Sequence, residues 1–249
     1  MYKLIIFDLD GTLAESKQPL THEMALALTK LLSHTRVAVI SGGAFSQFLK
    51  QVVAQLPVDA QLAHLSLLPT SGAALYEFEH DDWKKIYEER LTEREKDTIE
   101  AALRAAGEET GLIDFSKKAH GERIEYRGGQ VTLSALGQEA PIALKKAWDP
   151  KHEKRLMLRD AVVARLRGFS VSVGGATSID VTKSGIDKAY GIQKLCERLH
   201  IPESKALYVG DELGTGGNDE AVYKTAVTTC VVENPSDTLR TIKTLLSAV

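Results

Sequence analysis

The sequence predicts an α/β protein with a Rossmann-like parallel sheet core and an inserted α+β cap domain. Runs of consecutive apolar residues such as Leu4–Phe7 and Val37–Ile40 alternate with amphipathic helical patterns, which is typical of strands buried on both faces of a parallel sheet. Between this block and a later one of the same kind, short strands flank paired glycines, which indicates hairpins and an antiparallel sheet. We therefore predict a core formed by residues 1–80 and 185–249, with a cap of antiparallel strands and two helices over residues 81–184.

Each predicted element follows from a local pattern. Thr21 is the expected N-cap of a helix whose Met24, Leu28 and Leu31 share one face. The first core segment is predicted to contain that helix, a helix from Phe45 to about Gln55, and apolar or strand segments at Leu4–Phe7, Val37–Ile40, Leu62–Leu68 and Leu75–Phe78. The cap is predicted to contain helices Thr92–Ala106 and His152–Leu166 and strands Ile124–Tyr126, Gln130–Ser134, Phe169–Val173 and Ser178–Val181. The second core segment is predicted to contain helix Asp187–His200, strands Lys205–Val209 and Ala226–Val232, and a helix from Ser236.

The composition is that of an ordinary soluble globular protein. The chain has 249 residues, of which 43% are hydrophobic and 26% charged, and it can bury a sizeable core. A net charge of −3 gives no electrostatic case for nucleic acid or an anionic membrane as a partner. Cys196 and Cys230 lack metal-ligand spacing and read as reduced thiols. With no long apolar stretch and no signal peptide, we expect a cytoplasmic protein.

Two carboxylates follow the first apolar run. Asp8 and Asp10 lie two residues apart, so their side chains point to the same face of an extended segment, and Gly11 and Thr12 form the exit. Ligands and chemistry collect at the carboxyl ends of strands in parallel sheets. Two neighbouring, partly buried carboxylates repel each other unless a cation lies between them. This strand end is therefore predicted to be a carboxylate–metal site.

A small anion site is predicted at the end of the second strand. Ser41, Gly42 and Gly43 follow Val37–Ile40 directly. A hydroxyl followed by two glycines can present a nest of backbone N–H groups to an anion. Such a turn is weak evidence alone, and it gains weight from its position in the β/α pattern.

Three charged residues of the second core segment complete the predicted site. Lys188 lies in the first turn of a helix, where a cation is unfavourable unless an anion is nearby. Asp211 ends an apolar strand, and Asp219 closes the glycine-rich loop that follows it. Carboxylates are the ligands that Mg²⁺ prefers, together with phosphate oxygens and water. These residue types are the ones that phosphoryl transfer to a carboxylate requires.

Short motifs resemble the haloacid dehalogenase superfamily of phosphotransferases. Asp8–Leu13 resembles the superfamily's DxDGT signature, and Gly185–Lys188 resembles its third motif. The resemblance implies that Asp8 is the nucleophile and Asp10 the general acid and base, with Ser41 and Lys188 stabilising the phosphoryl group. It also implies that Mg²⁺ is held by Asp8, the carbonyl of Asp10 and Asp211, with Asp219 as a further carboxylate ligand.

The predicted cap resembles the IIB class, and in places the eukaryotic-type phosphomannomutases. The similar segments are Tyr126–Gln138, Gly174–Val181 and Gly210–Asp219. The resemblance implies a small phosphorylated sugar as substrate and a homodimer formed through the cap. Its implied substrate-binding residues are Arg127, Gln138, Lys145, Ser178 and Asp180, and Gly42 and Gly43 of the predicted anion site are expected to bind the same substrate.

Two departures from the family decide the expected reaction. Gln138 and Lys145 stand where the family has arginines for a distal phosphate, and neither offers a guanidinium fork. A mutase must hold a phosphosugar in two orientations, so weaker distal binding favours hydrolysis. We therefore expect a Mg²⁺-dependent sugar phosphatase. The nearest alternative is a phosphomannomutase-type phosphohexose mutase. A catalytically silent binding protein of the same fold is a further alternative. Against a silent protein stands the complete set of expected catalytic residues, Asp8, Asp10, Lys188 and Asp211.

Overall fold

The computed structural model describes residues 2–247. Their strands are β1 (Leu4–Asp8), β2 (Arg36–Ile40), β3 (Leu65–Leu68), β4 (Ala74–Glu79), β5 (Asp82–Glu88), β6 (Ile124–Tyr126), β7 (Gln130–Ser134), β8 (Phe169–Val173), β9 (Ser178–Lys183), β10 (Ala206–Gly210) and β11 (Thr228–Val231). Their α-helices are α1 (His22–Leu32), α2 (Phe45–Gln51), α3 (Glu93–Glu109), α4 (Ile142–Trp148), α5 (Glu153–Val163), α6 (Lys188–Leu199) and α7 (Pro235–Ser247). No helix in this part of the chain is long and apolar enough to cross a bilayer.

The chain forms two compact units. The first runs to Glu88 and resumes at Asp187, and the second is Glu89–Ile186. The predicted limits of the insertion, residues 81 and 184, are therefore corrected to 89 and 186. The main error lies at β5, which pairs with β4 in the first unit rather than belonging to the cap. His80 and Asp81 both have positive φ, 52° and 60°, so the polar stretch read as a domain boundary is a two-residue hairpin turn.

The first unit is built on a seven-stranded, mostly parallel sheet in the order β11-β10-β1-β2-β3-β4-β5. Strand β1 lies near the centre and pairs in parallel with both β10 and β2. Its alternate side chains enter two different apolar layers: Phe7 packs in the layer that contains α1, and Ile6 packs in the layer that contains α6. This arrangement explains the uninterrupted apolar run of β1, because both faces of the strand are covered.

Parallel pairing brings three strand ends to one edge of the sheet. Asp8 pairs with Ile40, so Ser41 lies one residue beyond that pairing, and Phe7 pairs with Val209 close to the end of β10. The carboxyl ends of β1, β2 and β10 therefore meet, as the predicted fold requires. Thr21 caps α1 as expected, since its side chain accepts a hydrogen bond from the Met24 amide.

The second unit contains a four-stranded antiparallel sheet in the order β6-β7-β9-β8. Its core joins Leu103 of α3 and Leu158 of α5 to Val131, Leu133 and Ile179 of the sheet. The predicted two helices are corrected to three, because the short helix α4 lies between β7 and α5. Its seven residues span only two turns, too few to show a clear apolar period.

Candidate active site

Asp8 is the last residue of β1 and is almost fully buried, with 1% of its surface exposed. Its Oδ1 accepts a hydrogen bond from Lys188 Nζ at 2.5 Å, whereas its buried Oδ2 has no hydrogen-bond partner. Burial raises the pKa of Asp8 well above its usual value; Lys188 opposes that shift, and the carboxylates of Asp219 and Asp211 add to it. One oxygen of this carboxylate is thus held and the other is available for attack or for a cation.

Lys188 joins Asp8 to the glycine-rich loop after β10. It is the first residue of α6, and its Nζ donates to Asp8 Oδ1 and Asp219 Oδ1, both at 2.5 Å, and to Asn218 Oδ1 at 3.2 Å. Burial alone would lower the pKa of Lys188, but the carboxylates of Asp219 and Asp8 raise it. Asp8 and Asp219 thus supply the negative charge that makes a lysine favourable in the first turn of a helix.

Asp219 is buried and its oxygens are occupied. Its Oδ1 accepts from Lys188 and, at 2.6 Å, from the Tyr208 hydroxyl, and its Oδ2 accepts from the Glu212 amide at 3.3 Å. Burial and the charge of Asp219 raise the pKa of Tyr208 well above its usual value, so the phenol stays protonated and keeps donating. Asp219 therefore orients Lys188, and Tyr208 orients Asp219.

Tyr208 was missed by the sequence analysis. It lies within the apolar strand β10, and nothing in the spacing of Ala206–Gly210 distinguishes its hydroxyl from an ordinary buried tyrosine. Tyr208 reaches Lys188 because α6 packs against the face of the sheet that carries Tyr208, and the Lys188 Nζ and the Tyr208 hydroxyl are 3.5 Å apart.

Asp211 approaches the backbone just after β1. Its Oδ1 accepts a hydrogen bond from Thr12 Oγ1 at 2.8 Å. A Cβ at Gly11, where φ is +95°, would overlap the Asp211 carboxylate, so glycine is required there both for the turn and for the close approach. Burial, with smaller contributions from Asp219 and Glu212, raises the pKa of Asp211 to about 6, against the effect of the Thr12 hydrogen bond.

These carboxylates form a group suited to a cation. Asp8, Asp211 and Asp219 each offer an oxygen within 4.8 Å of the others. Lys188 donates to two of these three carboxylates, Asp8 and Asp219, so a single ammonium faces three acidic groups and the negative charge exceeds the positive. Because Asp219 is engaged with Lys188 and Tyr208, the carboxylates of Asp8 and Asp211 are the better ligands. An oxygen-only set of this kind fits Mg²⁺.

Asp10 is held apart from that group. Its Oδ1 accepts a hydrogen bond from the backbone N–H of Lys17 at 2.6 Å, in a segment where Lys17 has φ 58°. Burial raises the pKa of Asp10, although the Lys17 amide and the Gln51 side chain lower it in part. A raised pKa favours the protonated form that a general acid needs. Lys17 and Gln51 carry no short-motif signal, since each reaches Asp10 only through the folded loop.

The Ser41 turn is buried and firmly tied to its neighbours. Ser41 donates its backbone N–H to Leu68 and accepts the Gly43 N–H at its own Oγ, 3.3 Å away. The carbonyl of Gly43 accepts from the Thr70 amide. The structure places the turn at the predicted sheet edge, and the anion-binding roles of Ser41, Gly42 and Gly43 stay predictions.

Apart from Gly42 and Gly43, the predicted substrate-binding residues lie in the second unit. Arg127 Nη2 forms an ion pair with Glu125 Oε2 at 2.6 Å, and only 6% of its side chain is exposed. Lys145 Nζ donates to the Gln138 carbonyl at 2.9 Å. Their roles toward a substrate stay predictions.

The other two predicted sugar-binding residues share strand β9. Asp180 Oδ1 accepts from Thr132 Oγ1 at 2.8 Å, and Ser178 begins the strand two residues earlier. The structure therefore joins Gln138 with Lys145, and Ser178 with Asp180.

Comparison with known proteins decides the family. The sequence matches the eukaryotic phosphomannomutase family over residues 24–248. The chain belongs to that family. A probable phosphomannomutase of Caenorhabditis elegans is 27% identical over 260 residues, covering 98% of this chain and 95% of the relative. The phosphomannomutase of Saccharomyces cerevisiae is 25% identical over 252 residues, covering 98% and 94%.

Solved structures confirm the fold. An IMP-nucleotidase of Plasmodium falciparum superposes with a TM-score of 0.69 at 15% identity, covering 100% of this chain and 68% of that one. A haloacid dehalogenase-like hydrolase of Bacteroides thetaiotaomicron superposes with a TM-score of 0.61 at 16% identity, covering 98% and 100%. This phosphomannomutase family member therefore has a haloacid dehalogenase-like fold, as the strand-end motifs predicted.

Proposed function

We propose that this phosphomannomutase family member is a phosphohexose mutase that works through an aspartyl-phosphate on Asp8. The observation that carries the chemistry is the buried Asp8 carboxylate, one oxygen fixed by Lys188 and the other without a hydrogen-bond partner. The family match along almost the whole chain favours transfer to a sugar over transfer to water. The expectation of a phosphatase therefore becomes the second candidate.

The proposed reaction has two transfers. Asp8 Oδ2 attacks phosphorus, the ester P–O bond breaks, and Asp10 gives its proton to the departing oxygen. In the second transfer Asp10 takes the proton of an incoming hydroxyl, whose oxygen attacks phosphorus and releases Asp8. When the hydroxyl belongs to a hexose phosphate the enzyme is a mutase, and when it belongs to water the enzyme is a phosphatase.

The remaining core residues stabilise the phosphoryl oxygens. Lys188 holds a positive charge beside Asp8, and its position is fixed by Asp219 and Asn218. The hydroxyl of Ser41 and the amides of Gly42 and Gly43 are suited to the same anion. Mg²⁺ held by Asp8 and Asp211 would supply further positive charge to those oxygens.

In this proposal the second unit selects the sugar. Ser178 and Asp180 recognise hydroxyl groups, and Arg127 and Lys145 supply positive charge for the phosphate that is not transferred. Gln138 is a neutral donor at a position where the resemblance implies a guanidinium. Hydrolysis is kept as the second candidate because of Gln138 and Lys145.

The deciding experiment follows both products from one substrate. Mannose 1-phosphate is incubated with and without a hexose bisphosphate activator, and mannose 6-phosphate and free phosphate are measured together. We expect the 6-phosphate to exceed free phosphate when the activator is present. Free phosphate in excess under both conditions would assign the protein as a phosphatase instead.

Removing divalent metal should stop turnover. Without a cation, Asp8 and Asp211 repel each other and the phosphoryl oxygens lose positive charge, so we expect activity to fall by at least about 10³-fold in EDTA. Added Mg²⁺ should restore it, which a titration of activity against free Mg²⁺ measures. Full turnover in EDTA would refute the metal site.

Replacing Thr12 with valine should weaken Mg²⁺ binding, because Asp211 loses the hydroxyl that donates to its Oδ1. We expect a higher Mg²⁺ concentration for half-maximal activity in Thr12→Val than in the wild type.

A further inference from the structure

A buried arginine in the second unit belongs to no motif of the predicted site. Arg155 lies on α5 with 2% of its surface exposed, and it is the largest fully buried side chain in the described chain. A buried guanidinium is costly unless its charge and its donors are satisfied. The hydrogen-bond partners of Arg155 therefore show which parts of the second unit it holds in place.

The first partner is Asp149, the residue that follows α4. Arg155 Nε donates to Asp149 Oδ2 at 3.1 Å, and the same carboxylate accepts the backbone N–H groups of Lys154 and Arg155. His152, at the N-cap position of α5, makes no side-chain capping bond, so Asp149 satisfies the first turn in its place. Asp149 thus fixes the start of α5 and the guanidinium on it.

The second partner is the turn between β8 and β9. Arg155 Nη1 donates to the carbonyls of Gly174 and Gly175, at 3.1 and 3.2 Å. The turn is closed by two backbone bonds, from the Gly174 amide to Ser178 and from the Ser178 amide to Gly175. One charged group therefore holds both carbonyls at the tip of the hairpin that carries Ser178.

The backbone of the β8–β9 turn packs against Asp180. A Cβ at Gly174 would lie 2.8 Å from Asp180 Oδ2 and 3.0 Å from Ser178 Cβ, so the backbone of Gly174 is in close contact with both residues. On its other side Asp180 is held by Thr132, which accepts from Gln130 Nε2 at 2.8 Å. A displacement of the turn would therefore be transmitted to the Asp180 carboxylate.

We propose that Arg155 is a positioning residue, which fixes the β8–β9 turn and so holds Ser178 and Asp180 for the hydroxyl groups of the substrate. This inference rests on the proposed function for the identity of the substrate, and on the contacts of Arg155 for the rest. The ion pair with Asp149 keeps the guanidinium oriented, because a fork held on one side can bridge two carbonyls on the other.

The test compares Arg155→Lys with Arg159→Lys. Arg159 lies one turn further along α5, is partly exposed and pairs with its neighbour Asp160, so it controls for the change in side chain. For mannose 1-phosphate, R155K should raise KM about tenfold, since a lysine cannot bridge Asp149 and both carbonyls. For p-nitrophenyl phosphate, which has no sugar hydroxyls, kcat/KM should stay within about twofold. R159K should change neither.

Two further measurements separate positioning from general destabilisation. Amide hydrogen exchange at Gly174 and Ser178 should be faster in R155K than in R159K, because those amides close the turn. In an Asp180→Asn background, the effect of R155K on KM should largely disappear, since residues that act through one another are not additive. Additive effects, or an equal loss on both substrates, would overturn the proposal.

The outcomes keep the two proposals apart. If the wild type cleaves p-nitrophenyl phosphate but does not act on mannose 1-phosphate, the proposed function fails, and exchange at Gly174 and Ser178 still decides whether Arg155 fixes the turn. Unchanged exchange in folded R155K would refute that role. Should R155K not fold, Asp149→Asn replaces it with the same expectations, since the asparagine oxygen can still accept from the Lys154 amide while the bonds from Arg155 to Asp149 Oδ2 are lost.

Discussion

Replacing Asp8 with asparagine should abolish both phosphate release and sugar phosphate interconversion, by about 10⁴-fold or more. The amide cannot form the acyl-phosphate, although it has the same size and can still contact Lys188. Steady-state assays on mannose 1-phosphate and p-nitrophenyl phosphate measure the loss. The fold should survive, because the change removes one charge from a crowded group of buried carboxylates. Measurable turnover by a folded Asp8→Asn protein would exclude Asp8 as the nucleophile.

Asp10→Asn is the matched control for that experiment. It removes the proton donor but leaves the nucleophile, and p-nitrophenolate leaves without needing a proton. Acid quenching with labelled substrate should therefore trap more phosphoenzyme in Asp10→Asn than in the wild type, and none in Asp8→Asn. Equal trapping in the two variants would mean that the two carboxylates do not divide the roles of nucleophile and acid as proposed.

Replacing Lys188 with methionine should damage both activity and stability. Two buried carboxylates, Asp8 and Asp219, would lose their cation, and breaking a buried ion pair on one side typically costs about 3–5 kcal/mol. The loss of positive charge beside the phosphoryl group should lower kcat by about 10³-fold. Chemical denaturation and steady-state kinetics measure the two effects separately.

The control for Lys188→Met is Lys194→Met, on the same helix. Lys194 is 43% exposed and pairs with Glu197, so its loss should change the free energy of unfolding by less than about 1 kcal/mol. Denaturation should be repeated with Mg²⁺, since a bound cation would replace part of the lost charge. If Lys188→Met unfolded with the same free energy as the wild type in EDTA, the role of Lys188 in holding the carboxylates together would be wrong.

The core site was accessible from sequence because each of its main residues follows a recognisable local pattern. Asp8 and Asp211 each come at the end of an apolar run. Lys188 is the first residue of a helix, where the helix dipole disfavours a cation. Parallel pairing of β1 with β10 and the packing of α6 on the same sheet then bring together Asp8, Lys188 and Asp219, which are up to 211 residues apart. Local pattern and sheet topology together predict that these residues lie close to one another, and their catalytic roles stay predictions.

The residues that were missed depend on tertiary contacts that leave no periodic signal. Tyr208 is one apolar-looking residue in a buried strand, and Arg155 is one of several charges on an amphipathic helix. The misassigned strand β5 is rich in charge because it lies at the edge of the sheet, where one side faces no further strand among the described residues. The charged residues of β5 therefore reflect its exposed position at the sheet edge and not the start of a new domain.

The division of the chain at Glu88 and Asp187 has a consequence for how such enzymes diverge. The residues proposed to carry the phosphoryl transfer, Asp8, Lys188 and Asp211, lie outside the continuous segment Glu89–Ile186, and the residues proposed to select the sugar lie inside it. Mutation within one uninterrupted stretch can therefore retune substrate preference while the phosphoryl-transfer chemistry is inherited unchanged. In the proposed function, a change at Gln138 or Lys145 would alter recognition of the sugar phosphate while leaving Asp8, Lys188 and Asp211 as they are.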